Sequence, residues 1–229
     1  MRGGATAARL LRIGAVISSC QMPVAGAGLA LAQATSAAAR DSARADSVRR
    51  AAPAGLIPAG FGSLRRDDVA LKVQSLGLVV TAVPLEESVI RTLSPDTYKS
   101  LHALRDSKAR QLDSIRTRMG LPAVQAWYVE FFNVQQGEAR FDPLDFVVRS
   151  AGRDYRPLQL FPLKPGFGDG RLAQREMRNA IYAFDPQVDL SQPLTVTIGT
   201  LENAAWGDVL PRLELERSLI WSRAAAHKP

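Results

Sequence analysis

Hydrophobic and polar positions alternate along much of this chain with the period of a strand, and in three stretches with the period of a helix. In "DVALKVQ", Val69, Leu71 and Val73 share one side while Ala70, Lys72 and Gln74 share the other, which predicts a half-buried strand. "LGLVVTAVPL" continues the alternation through Leu76, Leu78, Val80 and Ala82, with Gly77 placed for a bulge or a turn between two strands. "LEESVIRTL" then reads as a short helix. The next stretch, "SPDTYKSLHALRDSKARQLDSIRTRMG", predicts one long amphipathic helix over about 95–119. Ser94 stands as N-cap, Pro95 at the first helical position, and Gly120 follows Arg116 and Arg118 at the end. Tyr98, Leu101, Leu104, Leu112, Ile115 and Met119 form its apolar stripe, interrupted by Arg105 and Lys108.

From Ala126 the pattern changes to short strands. "AWYVEFFNV" is aromatic and β-branched, and "QQGEA" is a turn. In "RFDPLDFVVRS", Leu144, Phe146 and Val148 share one face and Asp145, Val147 and Arg149 the other. "AGRD" turns the chain into "YRPLQLFPL", whose Pro157 and Pro162 predict an edge strand. "KPGFGDG" is a loop, and "MRNAIYAF", "PLTVTIG" and "TLENAAW" continue the run at roughly ten-residue spacing, the rhythm of an all-β sandwich. "DVLPRLELERSLIWSRAAA" predicts a C-terminal helix docked by Leu213, Ile220 and Trp221. The alternation of Trp127 and Phe131 against Tyr128 and Phe132 predicts a sheet covered on both faces, by a partner sheet and by the long helix.

The first 34 residues stand apart. They carry Arg2, Arg9 and Arg12 and no acid, then an uncharged run from Ile13 to Ala32, then Ala32-Gln33-Ala34. That is the layout of a secretory signal peptide, and small residues at Ala32 and Ala34 predict cleavage after Ala34. Uncleaved, the run is about long enough to serve as a membrane anchor. Cys20 is the single cysteine, and "ISSC" loosely matches a lipobox, so lipidation of Cys20 is an alternative. In either case the mature chain has no intrachain disulfide. "GAGLA" within this segment lacks the preceding strand of a dinucleotide site. Residues 35–62 are rich in Ala, Ser, Asp, Arg, Pro and Gly with few large apolar side chains, and read as a disordered linker. One domain is then expected over 63–223, with a frayed tail at 224–229.

Charge changes the picture little. The chain has 29 Lys and Arg against 22 Asp and Glu, a net +7; without the first 34 residues the balance is 26 against 22. There is no block of five like charges, and nucleic acid is not an expected partner. His102 and His227 are the only histidines, too few for a transition-metal site of protein side chains. No G-x-S-x-G elbow presents a serine to His102. The basic residues Lys99, Arg105, Lys108, Arg110, Arg116 and Arg118 alternate with Asp96, Asp106 and Asp113, the pattern of a solvated helix face. Asp142, Asp145 and Asp154 are the candidate metal ligands, since an oxygen-rich cluster suits Ca²⁺. The competing reading places them at strand edges and a turn, neutralised by Arg140, Arg149, Arg153 and Arg156. Those four arginines are the candidate interaction surface. "GFGDGR" (166–171) could cradle a phosphate on its backbone N–H groups, but lacks the Walker spacing and its Lys-Ser/Thr pair.

The order strand, "GEARFDPLDFVVRSAGRDYRPL", loop, "NAIYAFDPQVDLSQPLTVTIG" resembles uncharacterised bacterial exported immunoglobulin-like β-sandwich proteins over about residues 126–199. The resemblance implies a fold and carries no catalytic residue with it. The chain lacks the Cys-Trp-Cys spacing of antibody domains. The expectation is therefore an α+β protein: a mainly antiparallel, immunoglobulin-like sandwich with the helix over 95–119 packed on it and a C-terminal helix. Its expected role is an exported, non-enzymatic envelope or secreted binding module, periplasmic or extracellular, using no cofactor and meeting an envelope protein or a small ligand. The alternatives are a small-ligand carrier or hydrolase with a pocket between helix and sheet, and a lipid-anchored assembly factor.

Overall fold

A computed structural model of the chain describes residues 56–227. Residues 1–34 with the cleavage site after Ala34, Cys20, and linker residues 35–55 lie outside them. The described chain is α+β, with antiparallel sheets and a C-terminal helix. It opens with α1 (Arg66–Val69), the hairpin β1 (Leu71–Gln74) and β2 (Leu78–Pro84), and then α2 (Glu87–Ile90), α3 (Pro95–Asp106) and α4 (Ala109–Met119). The strands β3 (Gln125–Asn133), β4 (Ala139–Arg140), β5 (Phe146–Ser150), β6 (Arg153–Tyr155), β7 (Gln159–Pro162), β8 (Arg171–Leu172), β9 (Met177–Phe184), β10 (Leu194–Ile198) and β11 (Leu201–Asn203) follow, before α5 (Trp206–Ala226). Five strands form one sheet in the order β1-β2-β3-β9-β7, four form another in the order β11-β10-β5-β6, and β4 pairs β8 as a ribbon.

The period of two read from the sequence becomes two faces of the five-stranded sheet. Trp127 lies opposite Tyr182 and Val129 opposite Ala180, so these side chains share a face, and all four are fully buried. The four-stranded sheet meets that face through Phe146, whose ring centroid is 5.4 Å from Tyr182 and 6.0 Å from Phe184. Phe131, Phe141 and Phe167 close one end of the same core in stacked and edge-on contacts. On the opposite face Val83, Tyr128 and Ile181 line up in register, also buried. Leu101, Leu112 and Ile115 of α3 and α4 belong to the same core, and Arg118 Nη2 ties the end of α4 to Gln159 Oε1 on β7 at 2.9 Å.

The helix expected over 95–119 is two helices. Lys108 sits at φ −110°, ψ 4°, outside the helical range, so α3 ends at Asp106 and α4 begins at Ala109. The physical reason lies in Asp106-Ser107-Lys108: the Ser107 hydroxyl donates to Leu104 O at 2.6 Å, a side-chain bond that competes with the helical ladder. Arg105 and Lys108, which interrupt the apolar stripe, fall at this corner. Gly120 closes α4 at φ 64°, as its position in the sequence predicts.

Four side chains expected in the core are out of it, the first being Leu76, fully exposed in the turn between β1 and β2. Leu144 is exposed because Pro143–Asp145 form a 3₁₀ turn instead of extending β5; the Asp142 carboxylate accepts the Leu144 N–H at 2.8 Å. Met119 and Trp221 are also exposed; on α5 it is Trp206, Leu213 and Ile220 that are fully buried. The linker expected over 35–62 gives way to packed chain by Ile57, which is buried, and α5 continues through Ala226 where a frayed tail from residue 224 was expected.

Residues 57–64 form a strap across the domain. Arg91 Nη1 donates to Ile57 O at 3.0 Å and Arg223 Nη1 to Phe61 O at 2.7 Å. Leu64 N–H donates to Thr92 O, and Ser94 N–H to Leu64 O, a short parallel bridge. The Glu216 carboxylate of α5, only 4% exposed, accepts the Ser63 N–H at 2.8 Å, the Ser63 hydroxyl at 2.9 Å and Arg223 Nη1 at 2.6 Å. Gly62 passes so close to Thr92 and Leu93 that a Cβ there would meet their backbone atoms at 2.4 Å.

The Gly62→Ala variant is expected to lose about 1–3 kcal/mol of stability, because backbone must shift to admit the methyl group. Glu216→Ala is expected to lose about 1–3 kcal/mol, because the Ser63 N–H and hydroxyl lose their acceptor while Arg223, more than one-third exposed, keeps access to water. Urea midpoints of both variants against the parent chain check these values, and unchanged midpoints would mean that the strap is not held this way.

Candidate functional site

The outer face of the four-stranded sheet carries a polar groove of about 340 Å³. Its geometry follows from a two-residue turn. Ala151 at φ 49° and Gly152 at φ 75° join β5 to β6, both in the left-handed region that a tight hairpin turn of this kind requires. That turn sets Ser150 opposite Arg153 and Arg149 opposite Asp154. Arg149 and Asp154 then form a two-bond ion pair, Nε to Oδ1 at 2.7 Å and Nη2 to Oδ2 at 3.3 Å. On the other side of β5, Thr197 of β10 lies opposite Val147, and Glu202 of β11 lies opposite Thr197. Asp145, Arg156, Gly199, Thr200 and Leu201 complete the lining. The Arg149 guanidinium holds the Asp154 carboxyl below its usual range, and Asp154 in turn raises Arg149. Arg156 makes no ion pair within 4.0 Å among the described residues.

The four candidate arginines are thus divided. Arg149 and Arg156 line the groove. Arg153 lies opposite the buried Ser150, at the turn, and Arg140 lies on the β4–β8 ribbon opposite Arg171. The three candidate metal ligands are separated in role as well. Asp142 caps the turn before β5, Asp154 pairs with Arg149, and Asp145 stands at the groove. Among the described residues no three His, Cys, Asp or Glu side chains gather to hold a metal ion. The "GFGDGR" loop is folded on itself: Asp169 N–H donates to Gly166 O, Gly170 O accepts from Phe141 N–H, and Arg178 holds Pro165 O.

Two polar clusters were not legible in the sequence. At the junction of α2 and α3, Glu87 Oε1 lies 2.8 Å from His102 Nδ1, and Arg91 and Tyr98 also bond its carboxylate. Asp106 Oδ2 lies 3.2 Å from His102 Nε2, so the imidazole has a carboxylate at each nitrogen and stacks on Tyr98. The neighbouring Glu86 is pushed up, by burial above all, with Arg105 and the Ala126 amide opposing. Glu87 is pushed down: burial is the largest single influence and acts upward, but bonds from Arg91 and His102 together outweigh it. The Arg91 and Asp106 contacts are i, i+4 pairs that the sequence offers. The Glu87–His102 contact joins two elements and has no such signal.

The second cluster lies on β3 and β9. Tyr128 Oη donates to Glu130 Oε2 at 2.7 Å and accepts from Asn179 Nδ2 at 2.9 Å, while Arg66 Nη1 lies 3.5 Å from Glu130. Burial and the Glu130 carboxylate push the Tyr128 phenol up to about 12.

No family model, curated protein or solved structure matches the chain.

Glu86 and Glu87 should give opposite pH signatures. Glu87 has a depressed folded value, so its stabilisation is complete above about 4.5 and fades as pH falls through that lower value. Glu86 has a raised folded value, so its ionised form opposes folding at neutral pH and the penalty vanishes below about 4.5. Glu87→Gln should therefore destabilise at neutral pH and Glu86→Gln stabilise, both differences shrinking in acid. Unfolding midpoints measured from neutral pH to strong acid test this; equal signs for the two variants would refute it.

Proposed function

We propose that the chain is an exported, non-enzymatic binding module of the bacterial envelope or exterior. Its fold on this reading is an immunoglobulin-like sandwich, supported by the antiparallel sheets that meet across Phe146, Tyr182 and Phe184. The observation that carries the function is the groove, where Arg149 and Arg156 converge with Asp145, Asp154 and Glu202 around Thr197. It offers donors and acceptors of both charges on a strand framework. No aromatic ring lines it to stack a sugar. A polar, mixed-charge protein surface is the partner that suits it, consistent with an envelope protein.

Recognition proceeds through side chains and not by strand addition. β6 has three residues, two of them charged, and Pro157 follows soon after; β7 ends at Pro162. Short, charged, proline-bounded edges discourage pairing with another strand.

A second reading, an acid–base enzyme, is favoured by one observation. Glu86 and Glu87 are adjacent in the chain and pushed in opposite directions, with Glu87 bonded to His102, and carboxyls whose environments differ in this way can take acid and base roles. Anchoring through a lipid on Cys20 is the third reading, and an intact mass of the mature chain separates it from cleavage after Ala34.

A photo-crosslinking side chain at Thr197 should give a discrete protein adduct in the intact cell envelope, lost when Arg156→Glu is added. The same group at the exposed Thr117 on α4 should give none. Identical adducts from both positions, or none from Thr197, would remove the groove as the docking face. Substrate turnover lost on His102→Ala would move the enzyme reading to the front.

A further inference from the structure

The β4–β8 ribbon sets Arg140 directly opposite Arg171. Like charges opposed across a ribbon repel, and both side chains are largely exposed, so burial does not account for the pairing. The frame beneath them is fixed. Ala139 and Leu172, the other pair of the ribbon, are buried. Phe141 N–H donates to Gly170 O at 2.9 Å, and Asn133 Nδ2 donates to Leu172 O and Ala173 O at 3.0 Å each. Gly170, at φ 63°, lies so close to Phe141 O that a Cβ there would approach to 2.8 Å. The two arginines are therefore held side by side at their backbones.

Their charge is not matched. Glu138 is the only carboxylate within 4.0 Å of them among the described residues, and its Oε1 lies 3.7 Å from Arg140 Nε and 3.8 Å from Arg171 Nε. Both distances are too long for hydrogen bonds. Neither guanidinium donates a hydrogen bond to any described residue. Two forks, each with five donors, thus face a point occupied by one distant oxygen of a monoanion.

We propose that Arg140 and Arg171 form an oxyanion site for phosphate or a phosphate monoester. A carboxylate ligand would only repeat what Glu138 already supplies. A phosphate dianion carries the second charge and enough oxygens to bond both forks at about 2.8 Å. Glu138 is then the competitor that such an anion displaces. The site lies at the end of "GFGDGR", but it uses the arginine and not the glycine N–H groups. It is independent of the groove on the four-stranded sheet.

The test follows the Nε–Hε NMR signals of Arg140 and Arg171 in the full chain during titration with inorganic phosphate, with chloride at matched ionic strength as control. Both signals should move together. Arg140→Gln or Arg171→Gln should weaken binding by at least about tenfold, the loss of one charge-assisted contact. Glu138→Gln should tighten it by about two- to fivefold, the size of an exposed ion pair. Arg149→Gln should leave it unchanged. Phosphatidylcholine vesicles with and without phosphatidic acid separate the ligand sources. Flotation that requires both arginines identifies a lipid headgroup, and phosphate binding without flotation identifies a soluble ester. Shifts equal to those in chloride, or binding indifferent to both arginine variants, overturn the site.

Discussion

A carboxylate taken out of water must be met on all sides, and Glu216 shows what that requirement builds. Its oxygen gathers the backbone and hydroxyl of Ser63 and the guanidinium of Arg223, which itself reaches on to Phe61 O. Residues near the two ends of the described chain are joined by one buried charge. The strap fixed in this way lies against Thr92 and Leu93, and it brings Arg91 to Ile57 O. Arg91 also holds Glu87, so the α2–α3 cluster inherits its position from the same clamp. α5 is secured from its other side by Trp206, whose indole N–H donates to Leu190 O at 3.0 Å.

The surfaces that face solvent depend on smaller constraints of the same kind. The turn at Ala151 and Gly152 fixes a register, and the register alone decides that Arg149 meets Asp154 while Arg153 turns elsewhere. At the far end of the five-stranded sheet the buried Asn133 amide donates to Gly137 O, Leu172 O and Ala173 O, and its Oδ1 accepts the Gln135 N–H. One side chain therefore gathers two loops and sets the ribbon that carries Arg140 and Arg171. Backbone pairing thus sets where Arg149, Asp154, Arg140 and Arg171 stand.

Much of the architecture was legible because period-two alternation is a local property. β2, β3, β9 and β10 fall where their alternation places them, but the single edge strand expected over "YRPLQLFPL" is two: Tyr155 ends β6 and Gln159–Pro162 form β7, edges of different sheets parted around Pro157. Leu144 was misread because Asp142-Pro143 turns the chain through a side-chain cap, which alternation cannot register. The corner at Ser107 escaped notice because helical periodicity survives a two-residue break when both halves offer apolar faces. Of the candidate surface, arginine content was readable and its division was not. Arg149 finds Asp154 five positions further along one hairpin, but Arg140 finds Arg171 only after the chain has passed through three further strands. Glu216 gave no signal, since its partner Ser63 lies 153 residues away.

The meeting of Phe61 and His227, whose rings lie 5.6 Å apart edge to face, has a topological consequence. The described domain is nearly a closed loop of chain, with its entry and exit at a single pole. Such a circuit can be cut elsewhere and sealed there without changing what touches what. A permutant opened at Ala151–Gly152 would keep the strap clamp and give up only the turn that aligns the groove. The clamp and the groove thus occupy separable arcs of one ring.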